Sequence, residues 1–357
     1  MDTPSAAPPE PPPPGGSRRR TALRFALMAG FAAAVLALMG QLVPGATDRL
    51  ADATPGWLAA AGILELASIA GYALAFHTVL SGRPPEVRAR RAAEIGAAEL
   101  GAFAVLPTGA GGPAVRFWAL HREGVPFRTI GVRSVAFAAV FNAPYVGAAV
   151  LLGLAAVAEV LPGRAPTEVA LAPLGVVLLS LLAVAGLTVV ARRTAAPQPG
   201  APAWRARLHA VAQVFPDGVR AIPATLRRPG ALAGAAAFWA LDSAVLWAAF
   251  HAVGAAPPIT VIALAAMLGQ LGSISPLPGG VGGVEPTMLA ILTASGVDLD
   301  TAAAAVVCYR AVTLGLQGLV GALALGAVAA APSAAQRAEA EAAGSSAPPA
   351  PASARVV

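Results

Sequence analysis

The chain has 357 residues, 57% of them hydrophobic and only 12% charged, and a mean hydropathy of +0.70. A soluble domain carries roughly a quarter charged residues, so the composition excludes an ordinary soluble enzyme and points to a polytopic membrane protein. Every basic residue is arginine, which excludes a phosphate loop built on its lysine; the pI near 10.8 reflects arginines flanking apolar spans, not a nucleic-acid surface.

In chain order, residues 1–21 are rich in proline, glycine and serine and read as a disordered tail. Arg18, Arg19, Arg20 and Arg24 precede a first apolar span at 25–43, too long for a signal peptide and lacking a small-residue cleavage site. A second span, 57–80, is followed by the arginine-rich loop SGRPPEVRARR. Residues 92–106 are apolar but short, and PTGAGGPAVR interrupts them before the apolar 117–120. Spans at 130–161 and 168–191 follow, then a polar stretch at 192–229 that contains the amphipathic WRARLHAVAQVFPDGVRAI, suited to an interface. Residues 231–253 span again. Residues 259–274 are short, SPLPGGVGGVEP interrupts them, 287–292 resume, and 302–331 form the last span before a second tail at 332–357.

A crossing needs about twenty residues, and shorter apolar runs suit re-entrant or interfacial segments. The two short runs are also the two broken by Pro/Gly clusters, so they read as re-entrant hairpins. Arginine placement sets the sidedness. Of the 24 basic residues, Arg49 and Arg164 fall outside, Arg116 and Arg310 fall within the membrane region, and the other twenty lie on the cytoplasmic side when the N-terminus does. The expected fold is therefore all-α and polytopic, with about six transmembrane helices, two re-entrant helical hairpins and both termini cytoplasmic. Span, span, hairpin, span occurs twice within a membrane domain at 22–331, at 25–161 and 168–331, with opposite starting sides. That is the order of an inverted repeat, whose binding sites lie near the midplane. LPTGAGGPAVRFWAL and LPGGVGGVEPTMLAIL repeat a Leu-Pro and glycines ahead of a returning helix.

Irregular backbone at membrane depth survives where protein buries it or a cavity solvates it. Gly279, Gly280 and Gly282 leave amides free in the second interruption, and with the helix start after it they form a candidate site for a carboxylate or phosphate; the other reading is tight helix packing. Glu285 in that turn and Arg310 in the last span are predicted to face each other, either as a switchable headgroup site or as a fixed structural pair. Arg116 is either a bidentate phosphate donor or a side chain reaching the cytoplasmic headgroups. Glu65 and Asp242 are single acids in apolar spans, read as coupling groups or as protonated packing residues. Glu94 and Glu99 are assigned to the interfacial end of the first hairpin. Gln270, Ser273 and Ser275 add polar groups along the second. The lone cysteine, Cys308, and four dispersed histidines offer no disulfide and no metal-ligand spacing. No catalytic constellation stands out, so no enzyme activity and no cofactor are expected.

With these residues in view, PLPGGVGGVEPTMLAILTASGV followed by VVCYRAVTLGLQGLVGAL resembles the C-terminal signature of the lysylphosphatidylglycerol synthase transmembrane-region family, the flippase-like domain proteins. LPTGAGGPAVRFWALHREGV resembles the family's first signature. By this match Arg116, Glu285, Tyr309 and Arg310 take the family's motif positions. The chain departs from it at Gly112-Pro113-Ala114, where members often carry an acid, and at Val284, where many carry arginine. The resemblance implies movement of a lipid or lipid-linked headgroup between leaflets of the inner membrane. Its implied partners are membrane lipid and a separate lipid-modifying enzyme, with no nucleic acid. A proton- or ion-coupled carrier of small solutes using Glu65 and Asp242, and a non-transporting scaffold for an envelope enzyme, remain the alternatives.

Overall fold

The computed structural model describes residues 30, 44–82, 86–106, 111–160, 166–193, 202–274 and 277–345. The predicted first span at 25–43 lies outside the described residues except for residue 30, and the predicted N-terminal tail lies wholly outside them. Among the described residues the protein is all-helical. Its helices are α1 (Pro44–Ala51), α2 (Pro55–Leu80), α3 (Ala89–Val105), α4 (Gly111–Arg122), α5 (Phe127–Val157), α6 (Thr167–Arg193), α7 (Ala203–Leu226), α8 (Pro229–Ala252), α9 (Ile259–Gly269), α10 (Val284–Ala294), α11 (Leu299–Ala330) and α12 (Ala334–Ser345). Five are long and apolar enough to cross a membrane, namely α2, α5, α6, α8 and the helix that begins with α11. The predicted amphipathic stretch contains α7. The segment after residue 331, expected as a tail, begins with α12, and Arg337 in it holds Glu123 at 2.8 Å.

Proline at the first helical position starts both α2 and α8, where a missing N–H costs nothing and the fixed φ favours the helix. These two helices lie side by side and antiparallel, with backbone against backbone where Gly71 meets Gly234. A Cβ on Gly71 would stand 2.8 Å from the Phe238 nitrogen, and one on Gly234 would stand 2.6 Å from the Gly71 oxygen. Ser68 caps the contact by donating its hydroxyl to the Phe238 carbonyl at 3.3 Å. A second such crossing joins α3 to α11, where a Cβ on Gly101 would lie 2.5 Å from the Gly321 Cα. In hydrocarbon, where lipid tails are as apolar as leucine, close backbone approach and dispersion hold helices together. Small residues at these two crossings are what permit it.

Outside these contacts the molecule wears its apolar side chains outward. Leu178, Leu179, Leu181, Leu182 and Val190 on α6 are each 59% exposed or more, as suits a surface covered by lipid. The packed interior holds two main apolar groups. One, around Phe250, Met288 and Tyr309, joins α8 through α11; the other, around Phe76, Phe137 and Phe238, joins α2 through α5 with α8. Polar groups sit between them.

Candidate functional site

Each Pro/Gly interruption lies between two helices that fold back on each other, α3 with α4 and α9 with α10. In the second, α9 tightens into a 3-10 turn at Gln270–Ile274. Leu277 then leads into a turn in which Gly279, Gly280 and Gly282 adopt φ of 60°, 69° and 78°, a left-handed conformation open to glycine at little cost. Helix α10 starts at Val284 with Glu285 in its first turn. The side chain of Glu285 folds back so that Oε2 accepts from the Gly282 N–H at 2.7 Å. Its Oε1 accepts the Arg310 Nε–H at 2.7 Å, and a second guanidinium N–H donates to the Gly279 carbonyl. Glu285 is fully buried and Arg310 nearly so.

The expected anion cradle is therefore filled from within. Gly280 N–H donates to Leu277 O and Gly283 N–H to Gly280 O, and the Gly282 N–H is taken by Glu285. The helix start attracts a negative charge, and the chain's own carboxylate supplies it.

The first hairpin has its own pair. Arg116 on α4 donates two N–H groups to both oxygens of Glu99 on α3, one of them at 2.9 Å, and its guanidinium lies 4.9 Å from the centre of the Phe137 ring. This corrects two expectations. Arg116 does not reach headgroups at the surface, because it is 8% exposed, and Glu99 is not interfacial, being 4% exposed. Closing the hairpin brings opposite charges seventeen residues apart face to face. The spacing alone carries no such signal, since it reports contact only once the chain is known to turn back. Glu94 does lie at the polar end, paired with Arg90 at 3.0 Å and with Arg91 at 3.2 Å.

Asp242 and Glu65 sit near the middles of α8 and α2. Asp242 accepts from the Tyr309 hydroxyl at 2.9 Å, and Gln270 donates to that same hydroxyl at 3.3 Å. Glu65 accepts from Gln317 of α11 at 2.9 Å. Tyr309 is thus more than a motif position, whereas Gln317 carries no sequence signal, because a lone glutamine in an apolar helix makes no pattern.

A cavity of about 420 Å³ lies among these groups, with Glu99, Asp242, Gln270, Gly279, Arg310 and Gln317 on its wall beside aromatic side chains including Tyr72, Phe141 and Trp239. Its wall draws on both hairpins and on α2, α5, α8 and α11. Of the predicted residues, Asp242, Gln270, Ser273, Gly279, Tyr309 and Arg310 border it directly. Glu285 stands behind Arg310, Arg116 behind Glu99, and Glu65 behind Gln317. Gly280 and Gly282 shape the turn without lining the space, and Ser275 lies outside the described residues. Among the described residues no cluster of histidine, cysteine and acids has metal-binding geometry.

The family model described as the lysylphosphatidylglycerol synthase TM region matches residues 21–321. No curated protein matches the chain.

Proposed function

Because the chain belongs to the lysylphosphatidylglycerol synthase TM-region family, we propose that it is a multi-pass inner-membrane protein. In this reading it takes an anionic or zwitterionic lipid headgroup into the central cavity and passes it between leaflets. One observation carries the proposal: a 420 Å³ space at the level of the helix midpoints, walled by Arg310, Asp242, Tyr309 and Gln270 within an otherwise apolar bundle. Polar groups at membrane depth are expensive unless they pair or face a cavity that can hold water; these pair and border the cavity.

The inverted repeat supports the reading. Leu106-Pro107, Gly109 and Gly111-Gly112 recur in register as Leu277-Pro278, Gly280 and Gly282-Gly283. Pro55-Gly56 with Ala75-Phe76-His77 recurs as Pro229-Gly230 with Ala249-Phe250-His251. The antiparallel contact of α2 with α8 suits a pseudo-two-fold axis passing between them. Glu99 and Gln270 stand at matching positions ahead of their Leu-Pro pairs, and both border the cavity. Inverted repeats of this kind support alternating access by rocking one unit against the other around a fixed site.

In the mechanism we propose, Arg310 is the moving contact. It bonds Glu285 and the Gly279 carbonyl while the cavity is empty, and turns part of its planar fork to a headgroup phosphate when one enters. Arg116 stays with Glu99 and keeps the first hairpin closed. Arginines 88, 90, 91, 122, 128 and 133 cluster at one end of the bundle, which we assign to the cytoplasm on charge bias.

The test is lipid translocation in liposomes. Purified protein is reconstituted with fluorescent lipids of several headgroups, and an impermeant reductant quenches the outer leaflet. Wild type is compared with Arg310→Gln and with Asn142→Trp, which fills the cavity without touching a buried ion. Quenching beyond half in wild type and not in either variant is the expected result. Quenching unchanged in both folded variants would falsify the cavity as the route.

A further inference from the structure

The buried charges of the bundle do not balance. Among the described residues four carboxyl groups, those of Glu65, Glu99, Asp242 and Glu285, are at most 4% exposed, and only Arg116 and Arg310 are buried with them as cations. Arg116 is committed to Glu99 and Arg310 to Glu285. Two acids are left over. Asp242 has the Tyr309 hydroxyl as donor and Arg310 within electrostatic reach. Glu65 has less: one oxygen receives Gln317, while Oε2 is buried without a hydrogen-bond partner. The charges and titratable groups that face it are Asp242 from α8 and Tyr309 from α11, with Arg310 farther along α11 and the closed Glu99–Arg116 pair beyond Tyr72. One of these is another acid, so an ionised Glu65 would face a like charge and keep an orphaned oxygen. Neither feature compensates a buried negative charge.

We propose that Glu65 is a proton-carrying site, and that Gln317 couples its protonation to occupation of the cavity by an anionic headgroup. This rests on the headgroup reading given above. The coupling is local. A glutamine amide has a donor end and an acceptor end. Facing an ionised Glu65, Gln317 gives its NH₂ to the acid and shows its carbonyl oxygen to the cavity, which disfavours an anion. Facing a protonated Glu65, it accepts the acid proton through its oxygen and turns two N–H donors towards the cavity that it lines. Protonation also removes one negative charge from a group of four acids and two arginines. Proton and anion therefore strengthen each other's binding, and the effect is reciprocal. The proton comes from water on the side to which the cavity is open and leaves the same way, so Glu65 gains and loses nothing else.

The experiment uses the full chain in nanodiscs of phosphatidylcholine, with a soluble short-chain phosphatidylglycerol as the probe. Infrared spectra report the carbonyl stretch of a protonated carboxylic acid across a pH series, and titration reports probe affinity at each pH. Wild type is expected to show an acid band that Glu65→Gln lacks and Asp242→Asn keeps. Above the pH at which that band disappears, probe affinity falls about tenfold per pH unit, as one linked proton requires. Glu65→Gln binds the probe without pH dependence, and Gln317→Leu keeps the band and loses the pH dependence. Since glutamine mimics the neutral acid, Glu65→Gln should also fold and melt as wild type does; loss of the fold in that variant would show that the charge is needed and overturn the proposal. An identical acid band in wild type and Glu65→Gln overturns the proton site whether or not the probe binds. A band present with pH-independent binding overturns the coupling alone. A band present with no binding of the probe at any pH overturns the headgroup reading and the coupling with it.

Discussion

Arg310 and Glu285 meet at 2.7 Å across the second Pro/Gly turn, with 5% and 0% of their side chains exposed. Around this pair the turn is organised: the carboxylate holds the Gly282 N–H and the guanidinium holds the Gly279 carbonyl. Removing one partner leaves the other buried without compensation, which costs about 3–5 kcal/mol, whereas removing both together costs much less. Glu285→Gln and Arg310→Leu should each lower the melting temperature of the purified protein, and the double variant should melt above the value that additive losses predict. Strict additivity would show that the two groups do not interact.

Tyr309 joins Gln270 to Asp242. Tyr309→Phe keeps the ring and its packing but deprives a buried acid of its donor, a loss of roughly 1–3 kcal/mol. Lipid translocation should fall in Tyr309→Phe more than in Phe103→Leu, a change on the cavity wall that leaves the polar chain intact. Equal effects would assign Tyr309 a packing role only.

At Gly71 and Gly234 the α2–α8 crossing has no room for a side chain. Gly71→Val and Gly234→Val each drive a branched side chain into backbone, where overpacking costs typically 1–3 kcal/mol even in a core that can adjust. Both should melt early, while Gly62→Ala, which meets only the Leu316 methyl at 3.8 Å, should melt near wild type.

At the arginine-rich end, Glu86 grips Arg133 at 2.8 and 3.0 Å. The Arg133 hydrogen bonds hold the Glu86 carboxyl below its ordinary value of 4.5. A depressed acid contributes stability above that ordinary value and loses it as the pH falls through the lower, folded one. Acid-side melting curves of wild type and Glu86→Gln should therefore converge below about pH 4.5 and separate above it; the difference is small because the pair is partly exposed. A gap that persisted into acid would mean that the Glu86 charge is not its source.

Sidedness is testable with single cysteines in a Cys308→Ala background. The Arg90 side chain is 93% exposed at the start of α3, and Ala294 is exposed at the end of α10. In the proposed topology Arg90→Cys reacts with an impermeant thiol reagent from the cytoplasmic side and Ala294→Cys from the opposite side. Leu277→Cys, in the second turn, reacts slowly from both if the hairpin is re-entrant. Fast labelling of Leu277→Cys from the cytoplasm would make each hairpin a pair of crossings.

Much of this protein's architecture follows from its sequence alone. Run length and charge scarcity identify α2, α5, α6, α8 and α11 as membrane helices, because a bilayer demands about twenty apolar residues in an unbroken helix. The Pro/Gly clusters mark where the short helices stop, since those residues cannot continue a helix cheaply. The meeting of Glu285 with Arg310 was also legible, because two charges in apolar sequence need partners and few are available. Tertiary structure decided the rest. Glu99 looked interfacial from its neighbours, and only the folding of α4 back onto α3 buries it against Arg116. The glycine amides looked free for a ligand, and only the backward turn of Glu285 occupies them. Gln317 became part of the site because the Gly101–Gly321 crossing draws α11 against α3 and carries that glutamine to Glu65. In each case the deciding contact joins residues whose separation along the chain bears no fixed relation to their distance in space. Local preference sets where helices begin and end, and packing sets which polar group answers which.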